Sequence, residues 1–371
     1  MRTGETVQWI GSNCECGDAV SRTRQFIDSD CDFFEMPYTA TRQVPTTPWK
    51  RTVFRGVKPA LDLVSSTRAS SRARKYTSYT RNAEVVNFHQ ILAAYGSRVV
   101  FNWLELPMDA ARVVTIHEFD DDQLASPAVN KGYNKADAVI VLSGAMRDRL
   151  IEFGVQPEKV HVVLHGTIIP DPSNDKREGL VFYGGHKIMG GKGLDTVLKA
   201  MAIIQDRRRA DAPRLTINGH YGTATPAAAE AMAKDLGVDD LIVWRNQIPE
   251  RDMFELYQKS MVCLLPFTAS FGGLAAAAAA ACGLPVIATR QAGIPDYLGD
   301  TGIWVEENNP DELATRIIEL LDDPAAWQAA SDSVRKRAEQ LLSWDLIAAN
   351  TLQVFERAVA GKAGGGAAQV S

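Results

Sequence analysis

The segment Phe267-Thr-Ala-Ser-Phe-Gly-Gly-Leu274, followed by seven alanines (275–281) and then Cys282-Gly-Leu-Pro-Val-Ile-Ala-Thr289, constrains the fold of this chain more than any other. Residues 261–266 form an apolar run of strand length, which suits a buried strand. Gly272 and Gly273 then allow a turn whose bare backbone N–H groups can meet an anion. The alanines, strong helix formers, carry the chain onward. Gly283 stops the helix, and Pro285 opens a second buried strand, 286–289. Strand, helix and strand in that order make a βαβ unit with a corner suited to phosphate.

The same alternation runs through the whole chain. Apolar runs predict strands at 6–11, 31–37, 84–89, 112–118, 138–143 and 160–164 in the first half. A second series follows at 180–183, 214–218, 241–244, 261–265, 286–289 and 302–305. Helical stretches lie between them, including 18–27, 143–153, 193–206, 225–236, 250–260 and 273–281, and two long ones, 310–341 and 344–360, close the chain. Residues 166–178, with two prolines, an asparagine and mixed charges, read as an interdomain linker. The expected architecture is α/β: two doubly wound parallel-sheet domains, 1–168 and 169–342, facing each other across a cleft, with a helix at 343–360 and a frayed Gly/Ala tail at 361–371. Ligands of such sheets sit beyond the carboxyl ends of the strands.

Composition excludes several classes. With 46% apolar and 23% charged residues over 371 positions, the chain has enough apolar side chains for two cores. No apolar run reaches spanning length, and the N-terminus lacks the apolar stretch of a signal peptide, so a cytoplasmic location is expected. Cys14, Cys16, Cys31, Cys263 and Cys282 are an odd and scattered set, which fits thiols. Cys14-Glu-Cys16 has no second Cys/His pair of matching spacing, so no metal site is expected. The net charge of −5 hides a basic block: residues 42–81 hold ten Lys and Arg against the single acid Asp62. That block reads either as a solvated face or as a contact with an anionic partner, membrane lipid or a phosphorylated acceptor ahead of nucleic acid. No recognisable nucleic-acid-binding module accompanies it.

The most chemical stretch is Val181-Phe-Tyr-Gly-Gly-His-Lys-Ile-Met-Gly-Gly-Lys-Gly-Leu-Asp195. Gly184 and Gly185 let backbone approach a diphosphate, the following helix start favours negative charge, and Lys187 and Lys192 can neutralise it. A glycine-rich surface turn with ordinary lysines is the plainer reading of the same residues.

These segments, in this order, resemble the family-4 glycosyltransferases of the GT-B fold. The resemblance covers nearly all of the second half: Lys-Gly-Leu-Asp at 192–195, Leu215-Thr-Ile-Asn-Gly219, the run from Trp244 to Tyr257, Gly293-Ile-Pro-Asp296 and the terminal Ser343-Trp344 helix that crosses back over the first domain. It implies a retaining transfer of a sugar from a nucleoside diphosphate sugar, of UDP or GDP type, to the hydroxyl of a glycan or lipid-linked acceptor, as in cell-surface polysaccharide or glycolipid synthesis. No other cofactor and no metal is implied. Lys187 and Lys192 would hold the diphosphate, and Asn246, Gln247 and Ile248 the base. Ser270, Phe271, Gly272 and Gly273 would line the phosphate turn, and His117, at the end of Val113-Val-Thr-Ile-His117, would touch the transferred sugar. Val85-Val-Asn-Phe-His89 is the companion strand. The family pattern also carries two glutamates. Here they fall on Ser270 and Ala278 in one frame, or on Ala269 and Ala277 in the other, and neither frame supplies an acid. A non-catalytic nucleotide- or glycan-binding protein of the same fold is therefore a second expectation, and sugar-nucleotide epimerisation or hydrolysis a third.

Overall fold

The computed structural model describes residues 8–12, 32–36, 83–89, 104, 108–117, 132–185, 191–219, 227–246, 248–269, 273–291 and 293–367. The expected helix 18–27, the basic block 42–81, Cys14, Cys16 and Cys31 lie outside them, as do Lys187, Gln247, Ser270, Phe271 and Gly272. The chain divides into two compact units, one drawn from Met1–Val139, Phe153–Lys159 and Phe355–Ser371, the other from Ile140–Glu152 and Val160–Val354.

In the first unit β1 (Gln8–Ser12) pairs in parallel with β2 (Asp32–Met36). Likewise β3 (Val85–His89) pairs with β4 (Ala111–Ile116), Asn87 opposite Val113 and His89 opposite Thr115. Val113, Val114 and Ile116 are buried consecutively, the mark of a strand covered on both faces. The chain continues through β5 (Ala138–Val141), α1 (Gly144–Glu152) and β6 (Val160–Val162).

The second unit carries a six-stranded parallel sheet. Its strands are β7 (Leu180–Gly185), β8 (Leu215–Gly219), β9 (Ile242–Asn246), β10 (Val262–Leu265), β11 (Val286–Ala288) and β12 (Ile303–Trp304), in the spatial order β12-β11-β10-β7-β8-β9. The chain lays down β7, β8 and β9 to one side, then returns to β10 on the other side of β7. That reversal opens a crevice between β7 and β10, where doubly wound sheets bind their ligands. The α/β class with parallel sheets is the one the sequence implied.

Helices cover the sheet because their apolar faces match it. In α2 (Leu194–Arg208), Leu194, Val197, Leu198, Met201 and Ile204 are all buried at helical spacing. Then come α3 (Ala227–Asp235), α4 (Glu250–Lys259) and α5 (Leu274–Ala281). Ala276 to Ala281 of α5 are all buried, so beyond the exposed Leu274 at its start the helix is packed closely with methyl-sized side chains. Its last turn is closed from outside. Gly283 takes φ +62, Arg335 donates to the Ala281 carbonyl at 2.6 Å, and Arg177 donates to that of Cys282 at 2.7 Å.

Two expectations about the end of the chain change. Residues 310–341 form two helices, α7 (Pro310–Asp322) and α8 (Pro324–Leu341), which follow the short α6 (Ile294–Leu298). The break falls at Asp323 because the residue before a proline avoids helical backbone, and Asp323 caps α8 by accepting from the N–H groups of Ala325 and Ala326. The last helix, α9 (Trp344–Ala367), runs past Ala360 into the segment expected to fray. Lys362 donates to the carbonyls of Met108 and Ala110 at 3.0 and 2.6 Å, an anchor invisible in the local sequence. No helix among the described residues is long and apolar enough to cross a membrane.

Candidate functional site

The crevice of the second unit is built from two loops stitched together. Gly191 and Gly193, at φ +70 and +73, bracket Lys192 ahead of α2. The Gly191 carbonyl accepts from the N–H groups of Thr268 and Ala269, each at 3.0 Å, in the loop that follows β10. A Cβ on Gly193 would lie 2.0 Å from the Pro266 carbonyl oxygen, so the two backbones touch at a spacing open only to glycine. Across this junction the Lys192 ammonium sits 4.1 Å from the centre of the Phe267 ring, held by the ring's electron-rich face. On the β10 side α5 starts at Leu274, directly after Gly273, whose Cβ would meet the Tyr297 ring at 2.0 Å. The starts of α2 and α5 therefore follow the two adjacent strands β7 and β10, each with first-turn N–H groups lacking helical partners and a partial positive charge. Two such ends with a lysine beside them form an electropositive corner suited to phosphate oxygens.

The sequence-derived residues fall into place unevenly. Gly184 and Gly185 end β7, where the pairing with β8 shifts register between Tyr183 and Gly185. Together with Lys192 and Gly273 they border the crevice. Asn246 closes β9 and is exposed, and half-buried Ile248 leads to α4. They lie at the sheet edge two strands from β7, about 10 Å away at ordinary strand spacing, a distance that a base and its ribose can bridge from a phosphate. At the positions where the family pattern carries its second glutamate, Ala277 is fully buried and Ala278 nearly so, both within the apolar core. No carboxylate replaces them on α5.

Sequence reasoning missed what supports the corner. Phe267 under Lys192 and Tyr297 behind Gly273 come from elsewhere in the chain and carry no local signature. The Tyr297 hydroxyl accepts from the backbone N–H of His165 at 3.1 Å, and burial pushes its ionisation up to about 12 against the opposing pull of that bond. The buried thiols Cys263 and Cys282 are held protonated by the same desolvation, that of Cys282 pushed up to about 12. They belong to the core.

His117 lies in the first unit, one residue past β4, and its Nε2 is 3.0 Å from Nδ1 of His89 at the end of β3. The rings are near-parallel, with centroids 5.3 Å apart. Asn87 meets the far nitrogen of His89 at 3.0 Å, and Thr115 in turn donates to Asn87 at 2.9 Å. The strand-end position expected for His117 is the one observed. Glu118 and Asp120 to Asp122 lie outside the described residues, among which no three His, Cys, Asp or Glu side chains cluster as metal ligands.

Comparison with known proteins agrees with this architecture. A family model described as Glycosyl transferases group 1 matches residues 177–323, and one described as Glycosyltransferase Family 4 matches residues 34–168. An MMP α-(1→4)-mannosyltransferase of Mycolicibacterium hassiacum is 27% identical over 229 residues, covering 60% of this chain and 54% of that protein. A D-inositol 3-phosphate glycosyltransferase of Corynebacterium kroppenstedtii is 26% identical over 248 residues, covering 61% and 54%. The chain thus spans about half the length of these curated relatives. Among solved structures, a sucrose-phosphate synthase from Thermosynechococcus elongatus superimposes with a TM-score of 0.70 at 18% identity, over 95% of this chain and 99% of that one. The Anabaena protein HepE, solved in complex with UDP, gives 0.68 at 14% identity over 95% and 99%. With both of its halves matched by glycosyltransferase models and nearly its whole length by their fold, the chain belongs to the GT-B glycosyltransferases that resemble family 4.

Proposed function

We propose that the protein transfers a sugar from a nucleoside diphosphate sugar to an acceptor hydroxyl, and that the corner at Gly191 to Gly193 and Gly273 receives the diphosphate. The observation that carries this reading is the convergence of two helix starts and Lys192 on adjacent strands at the point where strand order reverses. In the reaction the bond from the anomeric carbon to the diphosphate oxygen breaks, the acceptor oxygen bonds to that carbon, and its proton passes to the departing diphosphate. With no carboxylate on α5, the leaving group is the natural base, a route that retains configuration. The protein's part is positioning and electrostatic stabilisation of the negative charge that builds on the diphosphate, by fixed backbone dipoles and the lysine, without a metal. Asn246 and Ile248 support a base site beyond the ribose, and the UDP bound by HepE favours UDP over GDP. The relatives are named for an α-(1→4)-mannosyl transfer and for inositol 3-phosphate, and the proposed role is cytoplasmic, in glycolipid or cell-surface polysaccharide synthesis, with the basic block 42–81 as a peripheral contact to an anionic membrane.

The test is hydrolysis and transfer from a panel of UDP- and GDP-sugars, with calorimetric titration of UDP and GDP. Turnover from at least one of these donors is expected, and absence of both nucleotide binding and turnover defeats the reading. The buried alanines at 277 and 278 favour a second reading, a nucleotide-binding protein without transferase activity. Titration and turnover on the wild type separate the two: UDP binding with transfer from at least one donor supports the enzyme, and UDP binding with no turnover from any donor supports the binder.

A further inference from the structure

Four polar side chains line up across the paired strands β3 and β4, and their spacing by two residues puts each pair on one face: Asn87 and His89 on one strand, Thr115 and His117 on and just past the other. The contacts run in sequence. Thr115 Oγ1 donates to Asn87 Oδ1 at 2.9 Å, Asn87 Nδ2 meets His89 Nε2 at 3.0 Å, and His89 Nδ1 meets His117 Nε2 at 3.0 Å. An amide nitrogen only donates, so Nε2 of His89 is the bare, accepting nitrogen. A neutral His89 then carries its proton on Nδ1 and gives it to the contact with His117. The facing Nε2 of His117 accepts, and the proton of a neutral His117 resides on Nδ1.

We infer that His89 is a positioning residue: backed by Asn87 and Thr115, it holds His117 as the neutral tautomer protonated on Nδ1. An uncharged ring with one N–H donor matches a sugar hydroxyl, whereas a phosphate calls for a cation. The match to a sugar hydroxyl rests on the glycosyl-transfer reading. The tautomer itself does not. Because the Thr115 hydroxyl can serve either end of the amide, a reversed chain is the alternative, and it leaves the proton of His117 on Nε2.

The 371-residue chain has six histidines, few enough for nitrogen NMR on 15N-histidine-labelled protein, with the signals of positions 89 and 117 assigned by their loss in His89→Asn and His117→Gln. Spectra are taken at about pH 8, above the ordinary titration range of histidine. The wild type is expected to show His117 protonated on Nδ1. Asn87→Asp offers only acceptors, so it protonates His89 on Nε2, bares its Nδ1 and moves the His117 proton to Nε2. Should that variant fail to fold, His89→Asn, which keeps an N–H facing His117, and His89→Asp, which presents only an acceptor, repeat the contrast one step nearer. A wild-type His117 protonated on Nε2, or a tautomer that ignores these changes, overturns the inference. In parallel, kcat for hydrolysis of UDP-glucose is expected to fall roughly tenfold in Asn87→Asp and His89→Asp and to stay within about threefold in His89→Asn, with UDP affinity unchanged. A moved tautomer with unchanged kcat refutes the positioning role. Absence of wild-type turnover with every UDP- and GDP-sugar defeats the transfer reading instead, and the NMR result alone then decides the tautomer.

Discussion

Substituting Gly193 by alanine tests whether the two loops of the crevice are as closely laid as the geometry requires. Two costs apply. The backbone stands at φ +73, where a side chain is strained by roughly 1–2 kcal/mol. The new Cβ would also lie 2.0 Å from the Pro266 carbonyl oxygen, so backbone must move by an ångström or more, an overpacking cost of about 1–3 kcal/mol. Lower entropy of the unfolded chain returns about 0.4–1 kcal/mol. Gly237 supplies the control: it has φ +69 but nothing within 4 Å of a Cβ, so Gly237→Ala carries the strain without the clash. For a unit of this size 1 kcal/mol moves Tm by roughly 2–4 °C, so Gly237→Ala should lose about 0–6 °C and Gly193→Ala about 2–18 °C. Differential scanning calorimetry of both variants, with and without UDP, measures the gap. UDP should stabilise the wild type and Gly237→Ala, and much less Gly193→Ala, because the displaced carbonyl belongs to the phosphate corner. Equal Tm losses and equal UDP responses in the two variants would refute the contact between the loops.

Lys192→Ala should weaken UDP binding by about 10- to 150-fold, the value of one charged hydrogen bond, while Lys192→Arg stays within about tenfold; isothermal titration reads both. Asp323→Ala removes the cap that separates α7 from α8 and should cost about 1 kcal/mol in urea unfolding, with UDP affinity unaltered. Tyr297 gives a pH signature. Its folded-state ionisation lies at about 12 against the ordinary 10.0, so the folded form keeps the proton longer than the unfolded form does. The resulting stability is complete below pH 10 and is lost as pH rises towards 12, up to about 2.7 kcal/mol for a shift of that size. The difference in urea stability between wild type and Tyr297→Phe, followed across that window, should shrink by this amount, and a flat difference would contradict the buried hydroxyl.

The strands were legible because they are buried on both faces. Val262 to Leu265 and Val286 to Ala288 read as apolar runs for the same reason that they are fully covered in the sheet. The corner was legible from Gly184, Gly185 and Gly273 in the sequence, whereas the left-handed angles of Gly191 and Gly193 and the close approach of Gly273 to Tyr297 were decided by the fold. Less visible was the division of 310–341 at Asp323, where the pattern of apolar residues continues across the break and only the proline rule marks it. The helix beyond Ala360 was unreadable locally, because its Gly/Ala composition favours fraying and its anchor, Lys362 on Met108 and Ala110, is a contact between distant segments.

The seven alanines mark the boundary between the two kinds of information. By itself the sequence determined that a helix stands between two buried strands after a glycine turn, since backbone freedom, helix propensity and burial are local properties of residues 267–289. It also determined that no acid stands on that helix. Only the tertiary structure decided why alanine suits it: neighbours close around Ala276 to Ala281, and Arg177 and Arg335 finish the end of α5 from other segments. It likewise decided that Lys192 rests on Phe267 and that His117 is joined to His89, because such pairings depend on strand order and register, which nearest-neighbour chemistry along a chain does not encode.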